Sequence, residues 1–147
     1  MSGITLLVED PKWRSHRGLT ARLEKAAEAA RRAARLKGEF TLLLSTDARL
    51  RALNRAFRDK DKVTNVLSFP GADGYAGDIA IAYSVAKKEA KSAGKSLADH
   101  ATHLVVHGVL HLAGYDHMTE RDARVMEPLE TKILARLGIA DPYGAGA

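Results

Sequence analysis

The sequence predicts a single α+β domain, 1–147, with a small mixed sheet of about four strands and helices packed around it. Three observations carry that expectation. Apolar runs too short for a helix alternate with longer stretches whose apolar residues recur at helical spacing. Glycines stand where the longer stretches stop, at positions 38, 94 and 138. No repeat, low-complexity stretch or linker interrupts the 147 residues, a length that buries one core without staples.

Ile4 to Val8 reads as the first strand. A helix over 18–37 follows, with Leu19, Leu23, Ala26, Ala30 and Ala33 on one stripe, charges opposite, and Gly38 to stop it. Phe40 to Leu44 is too short and too apolar for anything but a buried strand. Thr46 or Asp47 caps a helix running through Phe57. Val66 to Phe69 forms a third strand ended by Pro70 and Gly71. After the glycine-rich turn 71–77, Asp78 to Ala82 forms a fourth. Ser84 to Ala93 is a helix closed by Gly94.

Ser96, with Asp99 three residues on, opens the next helix through a capping-box pattern in its Asp form. This long helix carries Leu97, His100, Leu104, His107 and His111, while Val105, Val106, Val109 and Leu110 make it apolar nearly all round. Such a helix is buried, so its histidine face points at something that needs histidines. Thr119 starts a last helix to Leu137, stopped by Gly138, and 139–147 reads as a loose tail.

Composition narrows the classes. The chain is 46% hydrophobic and 28% charged, which is globular rather than disordered. It has no cysteine, which excludes disulfides and a thiolate zinc site. No signal peptide or membrane span is visible, so a cytoplasmic location is expected. Lys and Arg number 23 against 18 acids, a net +5 that favours a polyanionic partner. Most basic clusters fall on helices and read as solvated faces. Arg55, Arg58, Lys60 and Lys62 differ, because they gather at a loop whose nearby acids are Asp59 and Asp61.

His107 and His111 are four apart, so on a helix they lie about 40° apart around the axis and one turn apart along it. Gly114 lets the chain leave the helix through a left-handed residue, and a short turn can return His117 to the same point. Three imidazoles in that arrangement hold one Zn²⁺ and leave a position open, the mark of a catalytic ion. Ni²⁺, Co²⁺ and Fe²⁺ suit the same ligands. His103 lies on the same stripe but about 12 Å from His111 along the axis, too far to share an ion with it. A place at the rim of the site, or an ordinary helical role, remains for His103; packing is expected of His100.

A His₃ zinc lowers the pKa of its water to about 7, so hydrolysis is the default chemistry. The histidine spacing equals that of the metzincin peptidases, which need a Glu base after the first His. Here that position is Gly108, and peptide hydrolysis drops down the order.

The run His107-Gly108-x-Leu110-His111-Leu112-x-Gly114-Tyr115-Asp116-His117 resembles the signature of the bacterial YbeY-type endoribonucleases of ribosomal RNA maturation. Further blocks match in order: Leu53-Asn54, Phe57-Arg58, Lys60-Asp61, Thr64 to Pro70, Gly77-Asp78-Ile79, Met126-Glu127, Leu129-Glu130 and Asp141-Pro142-Tyr143. Many members carry Asp where this chain has Asn65. The resemblance implies a metal-dependent hydrolase specific for single-stranded RNA, acting in small-subunit maturation and ribosome quality control. It implies partners among ribosomal proteins or a ribosome-assembly GTPase. It also implies His107, His111 and His117 as ligands of one zinc per chain and Arg58 as the functional arginine.

The residue chemistry agrees with those roles. Phosphodiester cleavage builds charge on phosphoryl oxygens, which a metal and a guanidinium stabilise. Arg58 suits that task, or else pairs with Asp59 or Asp61. Lys60 and Lys62 can hold flanking phosphates. Ser68 and Asp78 are expected to floor the cleft, as substrate contacts or structural hydrogen bonds. Asp116 orients a ligand imidazole or stabilises its turn. Trp13 and Tyr115 are stacking platforms for bases or core residues. Two other readings remain: a non-catalytic assembly factor with a structural metal bound to RNA, and a zinc peptidase.

Overall fold

Strand alternation builds the sheet, and the helices follow from which faces it leaves apolar. The computed structural model describes residues 3–58, 64–115 and 120–139. In chain order these form β1 Ile4–Val8, α1 Leu19–Ala34, β2 Glu39–Ser45, α2 Asp47–Arg58, β3 Val66–Pro70, β4 Tyr75–Ala82, α3 Tyr83–Ser92, α4 Leu97–Leu112 and α5 Glu120–Arg136. The sheet order is β1-β2-β4-β3. The β1–β2 and β2–β4 pairs are parallel, whereas β3 and β4 form an antiparallel hairpin. The sheet is therefore mixed. Parallel neighbours need a crossover, which α1 supplies between β1 and β2.

Phe40, Leu42 and Leu44 of β2 and Ile79 and Ile81 of β4 point to one face and are fully buried. They join Leu19, Leu23 and Ala26 of α1 and Val105 and Val109 of α4 in one core. The alternate residues, Leu43, Ala80 and Ala82, meet Leu67 and Phe69 of β3 beneath Leu50 and Leu53 of α2. That second cluster is small, and among the described residues α2 covers it together with Val85 of α3.

Three local differences from the sequence expectation have physical causes. Helix α1 ends at Ala34 because Arg35 itself takes the left-handed cap, at φ 55°. Gly38 serves another purpose: a Cβ there would lie 2.5 Å from the Gly74 carbonyl oxygen, so the hairpin turn and the β2 entry need its bare backbone. Strand β4 starts at Tyr75, earlier than Asp78, because Asp73 and Gly74 (φ 53° and 89°) make the turn tighter than the glycine-rich run suggests. Between β1 and α1, Pro11–Ser15 form a 3-10 turn capped by the Asp10 carboxylate on the Lys12 amide at 3.0 Å.

That turn drops Trp13 into the core, fully buried. Its Nε1 donates to the Ser45 carbonyl at 3.1 Å and its ring meets Tyr83 edge-on at 5.1 Å. Trp13 is a core residue and offers no platform for a base. Tyr115 likewise packs against the core.

Among the described residues, no helix is long and apolar enough to cross a membrane.

Candidate metal centre

Helix α4 is the spine of the site. Ser96 caps it by accepting from the Asp99 amide at 3.0 Å. Ala101, Leu104, Val105, Val106, Gly108, Val109 and Leu110 are buried around most of its circumference. Gly108 is where α4 presses hardest on the sheet: a Cβ there would stand 2.7 Å from Ile79 Cγ2 and 3.3 Å from Ser68 Oγ. The Ser68 hydroxyl donates to the Gly108 carbonyl at 3.1 Å. The position that would carry a metzincin base therefore faces the sheet and has no room for a side chain.

At its end α4 turns through a Schellman motif. The Gly114 amide donates to the His111 carbonyl and the Tyr115 amide to the Leu110 carbonyl, both at 3.0 Å, with Gly114 at φ 98°.

His100, His103, His107 and His111 share the remaining stripe, their ring centroids 6.2, 6.3 and 4.5 Å apart in turn. His100 is held by Glu89 of α3, at 2.8 Å from Nε2. Asn65 donates its amide to the same carboxylate at 3.1 Å, a contact that an Asp in its place could not make without opposing Glu89. The next two histidines share Glu130 of α5. Its Oε2 is 2.7 Å from His103 Nε2 and its Oε1 is 3.1 Å from His107 Nδ1. The other nitrogen of His107, Nε2, lies 2.9 Å from His111 Nε2.

Glu130 has no exposed surface. Burial alone pushes its carboxyl up, but the hydrogen bonds to His103 and His107 outweigh it and hold the pKa at about 2. Glu130 is thus an anion in the core, hydrogen-bonded to two imidazoles.

Sequence reasoning quoted Glu130 within a motif but assigned it no role. The signal was present: Met126, Glu130, Ile133, Leu134 and Leu137 recur at helical spacing, so Glu130 is the one charge on an otherwise apolar stripe, and a charge there must be paired. Pro128, two residues earlier, lies on the exposed side of the helix.

His103, His107 and Glu130 offer ligand atoms within 4.8 Å of one another, a group that can hold a metal ion. His107 and His111 present a second pair of donors through their Nε2 atoms. His103, expected at the rim, instead turns Nε2 inward to Glu130. Ser68 comes to the histidine helix, but Asp78 does not. Gly77 and Ile79 face α4, so Asp78 between them points to the opposite face. There it accepts from the Tyr75 hydroxyl at 2.5 Å and lines a groove of about 830 Å³ with Leu7, Leu43, Phe57 and Phe69. Ser68 also lines that groove, so both residues border one cleft, although their side chains point to opposite faces of the sheet; β4 is apolar on both sides, which hid its parity. Arg58 is the last residue of α2. Lys60, Lys62, Asp116 and His117 lie outside the described residues.

The family model described as endoribonuclease YbeY matches residues 9–138. An endoribonuclease YbeY from Maricaulis maris is 45% identical over 148 residues, covering 97% of this chain and 92% of the relative. One from a Chelativorans species is 52% identical over 135 residues, covering 86% and 82%. The solution structure of a Thermotoga maritima protein superposes with a TM-score of 0.63 at 22% identity, covering 96% of this chain and 99% of that one, a likeness of fold. Fold and matches together define a hydrolase with a histidine-lined site against a mixed sheet. The chain belongs to the endoribonuclease YbeY family.

Proposed function

We propose that this protein is a zinc-dependent endoribonuclease that cleaves single-stranded segments of small-subunit ribosomal RNA during maturation and quality control, in the cytoplasm. The observation that carries this reading is the pair of Nε2 atoms of His107 and His111, 2.9 Å apart at the half-buried end of α4. Small ring rotations would let both nitrogens hold one zinc ion, whose usual ligands include imidazole. His117 would be the third ligand. The histidine set also admits other divalent transition metals.

The rival set, His103, His107 and Glu130, is less suited to catalysis. It would use the inward nitrogen of His107 and a carboxylate with no exposed surface, so substrate would have no approach.

A bound ion supplies Lewis-acid activation of water and polarisation of a phosphoryl oxygen near neutral pH. The chain's own residues do the rest. His107 and His111 would hold that ion at the end of α4. Arg58 stabilises the growing phosphoryl charge through its planar fork, and Lys60 and Lys62 hold neighbouring phosphates. Ser68 is bonded to the α4 backbone, so its role is to seat the helix on β3. The net positive charge favours an RNA partner, with ribosomal proteins or an assembly GTPase as protein partners.

The test is cleavage of a single-stranded RNA in metal-defined buffer. His111→Ala and Arg58→Ala each abolish it while the circular dichroism spectrum is unchanged. Intact RNA with wild-type protein in every divalent metal would leave the non-catalytic assembly factor as the reading to adopt.

A further inference from the structure

We propose that Glu130 is a positioning residue of the metal centre. It fixes His107 in the tautomer with its proton on Nδ1, so that Nε2 is committed to the ion, and His103 closes the carboxylate's second oxygen. This rests on the reading of His107 as a metal ligand.

Geometry carries the inference. A neutral imidazole has one N–H donor and one acceptor nitrogen, and the partner of one decides the state of the other. Oε1 of Glu130 lies 3.1 Å from His107 Nδ1, so a proton on Nδ1 completes a hydrogen bond to that oxygen and the contact favours this tautomer. The same logic favours the proton of His103 on Nε2, 2.7 Å from Oε2. With both oxygens engaged and no exposed surface, Glu130 cannot rotate away without stranding a charge in the core. The ring of His107 is therefore held in plane and in tautomer by a rigid support. Carboxylates that orient a ligating histidine in this way typically change metal affinity 10- to 100-fold when removed.

A chelator competition on the zinc-loaded protein measures this directly. Glu130→Gln keeps the shape, removes the charge and offers an NH₂ where an acceptor stood. Its zinc affinity should fall between about 10- and 100-fold, with Glu130→Asp intermediate. A long-range ¹H–¹⁵N spectrum of the zinc-loaded wild type should show His107 coordinated through Nε2 with Nδ1 protonated. A role confined to holding α5 on α4 would move neither the tautomer nor the affinity of a variant that stays folded.

Affinity within twofold of wild type in a folded Glu130→Gln, while His111→Ala releases zinc, would overturn the inference and leave the proposed function standing. Retention of zinc by His111→Ala together with its loss in Glu130→Gln would place the ion among His103, His107 and Glu130, making Glu130 a ligand and sinking both. If Glu130→Gln does not fold, the wild-type spectrum decides alone: coordination of His107 through Nδ1 overturns the proposal.

Discussion

The two faces of the sheet are built from equally apolar strands, yet the histidine stripe stands on only one of them. On the α4 side, Phe40, Leu42, Leu44, Ile79 and Ile81 have no exposed surface, and even a glycine hydrogen is closely packed. On the α2 side a groove of about 830 Å³ lies open, and Phe57 is 71% exposed at its edge. The histidines stand on the helix whose position is over-determined by contacts. The difference teaches that the metal donors are aimed by packing: moving α4 relative to the sheet by a few tenths of an ångström would move His107 with it. The groove face is packed more loosely.

Four measurements can break or sharpen that contrast. The largest effect should come from Leu42→Ala on the packed face, which should lower unfolding free energy by about 2–5 kcal/mol in urea titrations.

Next is the pH dependence of the Glu130 contribution, measured with chelator present. Its folded pKa, about 2, lies below the ordinary 4.5, so the folded state binds this proton less readily. The stabilisation is complete above about pH 4.5 and is lost as pH falls towards 2, amounting to at most roughly 3 kcal/mol. Wild type should lose more stability than Glu130→Gln between pH 6 and pH 3; equal losses would contradict the assignment.

Gly108→Ala should cost about 1–3 kcal/mol despite the better helix propensity of Ala, because the new methyl meets the stiff β-branched side chain of Ile79. It should also weaken zinc binding, since it lifts α4 off β3 and β4. Smallest of all, Phe57→Ala on the open face should change stability by no more than about 0.5 kcal/mol. A large loss there would show that the two faces are less different than their packing indicates.

Much of the fold could be read from residue pattern because the apolar runs and their stops are local signals. Ile4–Val8 emerged with its observed bounds, and Ser96 opened its helix as expected. The 3-10 turn at Pro11–Ser15 escaped notice because one short polar segment with a proline has no period. The direction of Asp78 escaped because Ala80 and Ala82 are as apolar as Ile79 and Ile81, so strand parity had no polar marker. At the site, the spacing of His107 and His111 predicts a shared helix face, and their nitrogens do lie on one. The partner across the gap was not legible: Glu130 is 23 residues from His107 in the chain, and only tertiary packing brings it between two imidazoles.

That buried anion makes the histidine stripe and the helix after it inseparable. Until α5 docks, Glu130 cannot meet His103 and His107, so the arrangement in which two imidazoles share one carboxylate forms only once α5 is in place. A nascent chain stalled after α4 would bear the imidazoles and yet lack the carboxylate that sits between two of them.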